Sequence, residues 1–165
     1  NSVRAGQMNI NRRAFLDMIA FSEIGPGLLA VSDNGYNVIV GSTADKPILF
    51  DSYKEHPRRL QSMIIKGKEV KSDAAGRYQF MGRYWQHYQK TLSLPDFGPE
   101  SQDKWAICLI GECVALPLVD QGRFPQAVEA CRSRWASFPG AGYNQHENEM
   151  DNLRMAYTKA GGVVA

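Results

Sequence analysis

The first strong pattern in the chain is an apolar stripe at helical spacing between residues 14 and 23. On a helix of 3.6 residues per turn, positions three and four apart share a face, and Glu23 falls next in that series. Gly25 and Pro26 follow at once, so the helix should end within a residue or two of Glu23 and leave its carboxylate facing a cleft. The stripe consists of Phe15, Met18, Ile19 and Ser22.

After this helix the pattern changes to short runs of β-forming residues. Tyr36 to Val40 is rich in such residues, and Ile48 to Phe50 offers a partner across a loop, which predicts a small antiparallel sheet. Residues 61 to 65 are compatible with either a third strand or a short helix. We therefore expect a small β-lobe at about residues 33–68, inserted after the first long helix.

Helical periodicity dominates the chain after Lys71, and together with the small sheet it predicts an α+β arrangement in a single domain, residues 1–165. Proline residues end or begin several of these segments, as their fixed φ and missing N–H require. The predicted segments are one capped by Ser72-Asp73 and running through Gln79, an aromatic stripe from Tyr84 to Leu92 ended by Pro95, a helix from Ser101 to before Pro117, one with Pro125 in its first turn, and one from about Glu147 to Lys159.

Composition is ordinary for a soluble globular protein, with 165 residues, 44% hydrophobic and 22% charged. The net charge of +2 is too small to indicate a nucleic-acid partner, and no run is apolar enough for a membrane span. The three histidines and three cysteines lack metal-ligand spacing, and no phosphate-binding loop occurs, so we expect neither metal nor cofactor. A bridge from Cys108 or Cys113 to Cys131 stays open.

Three short polar and aromatic islands stand apart from the core stripes and suggest a sugar site. They are Ser22-Glu23, Gly76 to Gln79, and Gly142 to Asn144. A half-buried Glu23 loses solvation as an anion, so we expect its pKa to rise and to favour general acid chemistry; the alternative is a surface carboxylate in a last helical turn. Sugars need aromatic faces and hydrogen-bonding amides or hydroxyls, which are supplied here by Tyr78, Gln79, Tyr143 and Asn144.

Five runs, in the same order along nearly the whole chain, resemble the lambda-type phage endolysins, a family of lytic transglycosylases. The runs are RRAFLDMIAFSE (Arg12 to Glu23), GYNVIVG (Gly35 to Gly41), Tyr53 with His56-Pro57-Arg58, AAGRYQF (Ala74 to Phe80) and WASFPGAGYNQ (Trp135 to Gln145). The resemblance implies a lysozyme-like fold with a helical body, a small β-lobe and a saccharide groove between them. It also implies cleavage of the β-1,4 bond between N-acetylmuramic acid and N-acetylglucosamine in peptidoglycan, leaving 1,6-anhydro ends, for host cell lysis.

The resemblance also implies roles for individual residues. Glu23 takes the place of the family's catalytic acid and base. Asn37 stands where the family run reads GYDVIVG, so a neutral side chain replaces a carboxylate there and keeps only a hydrogen-bonding role. The residues implied to position the sugar are Ser22, Tyr78, Gln79 and Tyr143.

Two other functions remain open on the sequence. A hydrolytic muramidase on the same fold would use Asp33 or Asp51 as its second carboxylate, although neither lies in a pattern that commits it to that role. A non-catalytic peptidoglycan-binding protein would keep the groove without the acid, and the presence of Glu23 argues against it.

The expected partner is the glycan strand of peptidoglycan, and the expected state is a monomer. An endolysin is made in the host cytoplasm and acts on the wall in the periplasm. The chain begins with Asn1, which leaves room for a removed initiator, signal or anchor before it.

Overall fold

The computed structural model describes residues 9–142 and 147–165, so Tyr143 and Asn144 lie outside the described residues. Helices predominate, with one short two-stranded sheet, which confirms the predicted α+β class. The elements in chain order are α1 (Ile10–Glu23), α2 (Pro26–Ala30), β1 (Gln61–Ile65), β2 (Lys68–Ser72), a 3₁₀ turn (Gly82–Tyr84), α3 (Trp85–Leu92), α4 (Pro99–Glu112), α5 (Leu116–Asp120), α6 (Phe124–Cys131) and α7 (Met150–Lys159).

Helix α1 follows the apolar stripe and ends on Glu23, as predicted. Gly25 adopts φ +85°, a conformation that disfavours side chains with a Cβ atom, so the helix breaks at once. The residues from Leu28 to Gly35 are typical of a loop, and this prediction was wrong for Leu28 to Ala30, because Pro26 begins the short helix α2. Its fixed φ suits a first helical turn, where its missing N–H costs no hydrogen bond.

The regular sheet lies further along the chain than the first two predicted strands. β1 and β2 pair antiparallel, with Gln61 opposite Ser72, which settles residues 61–65 as a strand. The predicted antiparallel pairing of residues 36–40 with residues 48–50 is present, but only as an isolated bridge from Val38 to Leu49 and not as a regular strand. The Ser42 hydroxyl accepts the Ile48 N–H at 2.9 Å, so a side chain takes a donor that a ladder would otherwise use.

The segment from Ser72 through Gln79 was predicted to be helical and is not. β2 continues to Ser72, and residues 75–80 form a tight loop, named here the GRYQ loop. Ala75 and Phe80 close this loop by exchanging two backbone hydrogen bonds of 3.0 and 2.9 Å. The patterns of α3, α4, α6 and α7 were predicted correctly in type, whereas α5 was missed.

The chain forms two compact units, each with its own core. One unit contains the residues up to Ser22 together with Ile107–Ala165, and in it the rings of Phe124 and Tyr157 stack at 4.6 Å. The other contains Glu23–Ala106. Its core centres on Trp105, whose ring stacks on that of Phe80 at 4.0 Å.

The three cysteines are free thiols, so the disulfide left open by the sequence is not formed. Burial raises the pKa of the Cys131 thiol, and the neighbouring Cys113 raises it further. No helix among the described residues is both long and apolar enough to span a membrane.

Candidate active site

Glu23 occupies the last position of α1 and is half-buried. The apolar stripe that leads to it is fully enclosed, since Phe15, Met18 and Ile19 are each no more than 1% exposed. The helix is therefore anchored by its apolar face while its final residue remains accessible. This is the placement that the sequence predicted for a general acid, and the raised pKa expected of Glu23 stays a prediction.

Ser22, the residue before Glu23, belongs to a hydrogen-bond network that joins distant parts of the sequence. Its Oγ lies 2.7 Å from the Ser137 Oγ and accepts a hydrogen bond from the Asn148 Nδ2 at 3.1 Å. The same Asn148 amide also donates to the Ser22 carbonyl at 3.2 Å. Ser22 is only 9% exposed, so the structure gives it a role in ordering the end of α1.

Sequence reasoning missed Ser137 and Asn148 as the partners of Ser22. They lie 115 and 126 residues away along the chain, and no local pattern marks them. A related contact is made by Glu147, whose carboxylate accepts the N–H groups of Gly140 and Gly142 at 3.0 and 3.1 Å. This carboxylate fixes the backbone that leads towards the predicted sugar-binding residues Tyr143 and Asn144, which are outside the described part of the chain.

Asn37 is half-buried, and its amide oxygen accepts the Asp33 N–H at 2.9 Å. This bond closes a turn over residues 33–37, and the Asn37 carbonyl also accepts the Phe50 N–H at 3.0 Å. The amide nitrogen makes no hydrogen bond within residues 9–142 and 147–165. Asn37 therefore presents a neutral donor, consistent with the hydrogen-bonding role implied for it.

Gln79 lies in the GRYQ loop with φ +53°, a left-handed conformation that is uncommon for a residue with a side chain. Its Nε2 donates to the carbonyls of Gly76 at 2.9 Å and Val38 at 3.4 Å. Both neighbours are acceptors, which fixes the orientation of the amide. The Oε1 accepts no hydrogen bond from the described residues, so this oxygen is available to a ligand.

Tyr78 differs from Gln79, because it is fully buried at 0% exposure. Its hydroxyl donates to the Asp103 carboxylate and accepts from the Arg77 Nη1 at 3.0 Å. Burial raises the pKa of Tyr78 well above its usual value; Arg77 opposes this shift and Asp103 adds to it. With no accessible surface, Tyr78 supports the loop from within, which is a different position from the direct sugar contact implied by the resemblance.

The two other carboxylates considered for catalysis are both exposed. Asp33 accepts a hydrogen bond from the Tyr53 hydroxyl at 2.5 Å. Burial raises the pKa of Tyr53, and the bond to Asp33 raises it further, so the phenol remains a neutral donor. Within the described part of the chain, the Asp51 side chain has no hydrogen-bond partner that would orient it. Among residues 9–142 and 147–165 no group of three metal-binding side chains is present.

Comparison with known proteins gives one consistent family. A family model described as Endolysin matches residues 13–164. The endolysin of Escherichia phage lambda is 45% identical over 159 residues, covering 96% of this chain and 96% of that protein. The endolysin of Escherichia phage P2 is 43% identical over 157 residues, covering 94% of this chain and 95% of that protein.

Solved structures agree with this assignment. A structure of bacteriophage lambda lysozyme complexed with a chitohexasaccharide is 44% identical and matches with a TM-score of 0.86, covering 96% of this chain and 99% of that one. A second structure of the lysozyme from bacteriophage lambda is 43% identical and has a TM-score of 0.82. The chain therefore belongs to the endolysin family and has its lysozyme-like α+β fold.

Proposed function

We propose that this protein is a phage endolysin that degrades bacterial peptidoglycan as a lytic transglycosylase, cleaving the β-1,4 bond between N-acetylmuramic acid and N-acetylglucosamine. The observation that carries the proposal is the half-buried carboxylate of Glu23 at the end of α1, where a buried apolar face holds it. The chitohexasaccharide bound to lambda lysozyme, a β-1,4-linked amino sugar, supports a glycan of this type as the ligand.

In the proposed reaction Glu23 acts twice. Its carboxylic acid first donates a proton to the glycosidic oxygen, and the bond from that oxygen to C1 of muramic acid breaks. The 6-hydroxyl of the same sugar then forms a bond to C1, while the Glu23 carboxylate takes the hydroxyl proton. The enzyme returns to its starting state, no water is consumed, and the product carries a 1,6-anhydro ring. Because the attacking hydroxyl is tethered to the reacting sugar, proximity favours the step.

A second carboxylate is not required by this route, in contrast to hydrolysis. A retaining glycosidase needs a nucleophile about 5 Å from the acid, and an inverting one needs a base further away to activate water. Asp33 is exposed and bonded to Tyr53, and Asp51 is exposed. Neither has the enclosed and oriented setting that a nucleophile or base requires.

The remaining site residues are proposed to bind the glycan. Gln79 offers its free amide oxygen to a sugar hydroxyl or acetamido N–H, and Asn37 offers its amide N–H₂. Ser22 orders the helix end beside Glu23, and Tyr78 supports the loop beneath Gln79. Tyr143 and Asn144 are proposed as further sugar contacts on the strength of the sequence alone.

The proposal includes the setting in which the enzyme works. A monomer is made in the host cytoplasm and acts on the wall at the periplasmic side, with glycan strands as its partner and without metal or cofactor. A strong chelator should therefore leave cleavage of purified peptidoglycan unchanged.

The experiment that tests the proposal is analysis of the fragments released from purified peptidoglycan, by mass and with borohydride reduction alongside. We expect fragments lighter by one water and inert to borohydride. The second candidate is a hydrolytic muramidase, which the name lysozyme given to the solved relatives favours. Reducing ends that take up hydride would support that enzyme, and the absence of any fragments would support a binding protein.

A further inference from the structure

Helix α4 contributes three consecutive buried side chains near its start, and two of them contact the GRYQ loop. Ser101, Gln102 and Asp103 are 3%, 0% and 8% exposed. The Ser101 hydroxyl donates to Asp96 at 3.0 Å, next to α4 itself. Gln102 and Asp103 bind residues that come 25 to 67 positions earlier in the sequence, and Gln102 also binds Phe97. All of these residues belong to the compact unit formed by Glu23–Ala106.

The Gln102 side chain binds the backbone of the GRYQ loop. The Gln102 Oε1 accepts the Arg77 N–H at 2.9 Å, while its Nε2 donates to the carbonyls of Tyr36 at 3.0 Å and Phe97 at 2.8 Å. One amide thus satisfies three buried backbone groups. Gly76, the residue before Arg77, has φ +87°, and a Cβ atom there would overlap the Gln102 Oε1. The loop and the Gln102 amide therefore fit against each other without spare room.

Asp103 binds the GRYQ loop through the side chain of Tyr78. Its Oδ1 accepts the hydroxyls of Tyr78, at 2.5 Å, and Tyr36, at 3.0 Å. Arg77 lies over both of these tyrosine rings, with its guanidinium carbon 5.3 Å and 5.6 Å from their centroids, and donates its Nε–H to the Asn34 carbonyl at 3.0 Å. One network consequently joins α4 to the loop of Gln79 and to the turn that carries Asn37.

We propose that Gln102 and Asp103 are positioning residues for glycan cleavage, which hold the GRYQ loop in the conformation where Gln79 presents its amide oxygen to the substrate. This inference rests on the proposed function, because it specifies how one of its sugar-binding residues is oriented. Gln79 has a strained left-handed φ and sits two residues after Arg77, the residue whose N–H binds Gln102. Such a conformation persists only where the surroundings determine it.

The test is a double-mutant cycle between Gln102→Met and Gln79→Ala, measured as kcat/KM on purified peptidoglycan. Methionine keeps the length of glutamine and removes its three hydrogen bonds. Misplacement of a binding group by about 1 Å costs up to roughly a hundredfold in rate, so we expect Gln102→Met to lower kcat/KM by about tenfold to a hundredfold. In the Gln79→Ala background the same change should cost less than about threefold, because the group being positioned is already absent.

A merely structural role gives a different pattern. If Gln102 only stabilises the fold, its replacement costs the same factor with and without Gln79, and that result would overturn the proposal. Ser101→Ala is the matched control, since it removes a partly buried hydrogen bond from the same turn of α4 without touching the loop. We expect this control to leave kcat/KM within about twofold of the unmodified protein and to show no coupling to Gln79→Ala.

Asp103→Asn provides a second variant should Gln102→Met fail to fold. It keeps an acceptor for the tyrosine hydroxyls and removes the charge, so it is expected to fold, to raise KM for the glycan and to show the same coupling to Gln79→Ala. Additive effects in this cycle would also overturn the proposal. The proposed function fails separately, because in that case the unmodified protein itself releases no anhydro fragments.

Discussion

The end of α1 and the GRYQ loop carry two of the proposed active-site residues, Glu23 and Gln79, but different forces hold them in place. Helix α1 is held by a continuous apolar face, and its end is set by Gly25 within two residues of Glu23. The GRYQ loop also buries Tyr78 and Phe80 in the core of its unit, but the backbone around Gln79 is held by hydrogen bonds. The partners in these bonds are Gln102, Asp103 and the carbonyl of Val38, all of which are at least 25 residues from the position they contact.

Because different contacts hold the two regions, we expect them to respond differently to substitution. Apolar packing loses free energy in proportion to the area or volume removed, so α1 should tolerate conservative changes in its stripe. A buried hydrogen-bond network fails more abruptly, because deleting one partner leaves others unsatisfied at about 1–3 kcal/mol each. The proposed acid, Glu23, is therefore on the robust element, and the proposed sugar-binding amide of Gln79 is on the sensitive one.

The largest expected effect is on chemistry at the α1 end. Glu23→Gln removes a group that gives and then takes a proton, and general acid–base catalysis contributes typically 10²–10⁴-fold. We expect the rate of peptidoglycan cleavage to fall by about 10³-fold or more, with unchanged urea unfolding and retained binding of chitohexaose. Turbidity loss of a wall suspension measures the rate. Cleavage that persists near the original rate would remove Glu23 from the mechanism.

The next effect concerns stability and tests how tightly the GRYQ loop packs against Gln102. Gly76→Ala places a Cβ against the Gln102 amide at a positive φ, so we expect a loss of about 2–4 kcal/mol in the free energy of unfolding. Gly67→Ala is the control: Gly67 also has positive φ, but a Cβ there meets nothing within 4 Å. It should cost only about 1 kcal/mol. Equal losses in urea denaturation would show that the Gln102 contact is not tight.

The stability of the protein should depend on pH through His56, which binds the GRYQ loop and is 2% exposed. Its Nε2 donates to the Phe80 carbonyl at 2.7 Å and its Nδ1 accepts the Arg58 N–H at 3.0 Å, so the ring is neutral. Burial lowers the pKa of His56, although the Phe80 bond and Asp73 oppose this shift, while Arg58 reinforces it.

Because the pKa of His56 is lowered in the folded protein, stability should fall as the pH falls. Below about pH 6.5 the unfolded chain binds a proton that folded His56 resists, so stability falls as the pH drops from there towards the folded pKa. The slope is at most about 1.4 kcal/mol per pH unit. Urea midpoints at pH 7 and pH 5 measure it, and His56→Gln should remove this component. A variant with an unchanged slope would assign the effect to other groups.

The smallest effect is expected at Asp33 and Asp51. Because neither is needed by an intramolecular attack, Asp33→Asn and Asp51→Asn should each keep the cleavage rate within about threefold. The same turbidity assay checks both variants, with Glu23→Gln as the inactive reference. A collapse of either variant to the level of that reference would support hydrolysis instead.

The contrast between α1 and the GRYQ loop also explains which features could be predicted from the sequence. The stripe before Glu23 and the break at Gly25 are local signals, so the helix, its end and the position of Glu23 were predicted correctly. The helices α3, α4, α6 and α7 likewise follow from periodicity and from proline or glycine positions. The short helix α5 was missed because its five residues are too few to show a period.

The GRYQ loop shows why the rest was not predictable. Residues 72–79 have helical spacing, but Gly76 and Gln79 adopt positive φ because partners on α4 and around Val38 hold them there. Single-sequence patterns do not contain those partners. The same limit applies to Ser22, whose partners Ser137 and Asn148 are more than a hundred residues away. Tyr78 was assigned to the sugar by its residue type, whereas its full burial follows from the contact with Asp103.

The most direct test of the proposed mechanism is to digest purified peptidoglycan in water enriched in oxygen-18 and to determine the mass of the released muramic acid ends. We expect 1,6-anhydro ends that contain no label, because the oxygen joined to C1 comes from the 6-hydroxyl of the same sugar. Labelled, reducing muramic acid ends would show that water is the nucleophile and would contradict a mechanism in which Glu23 acts without a second carboxylate.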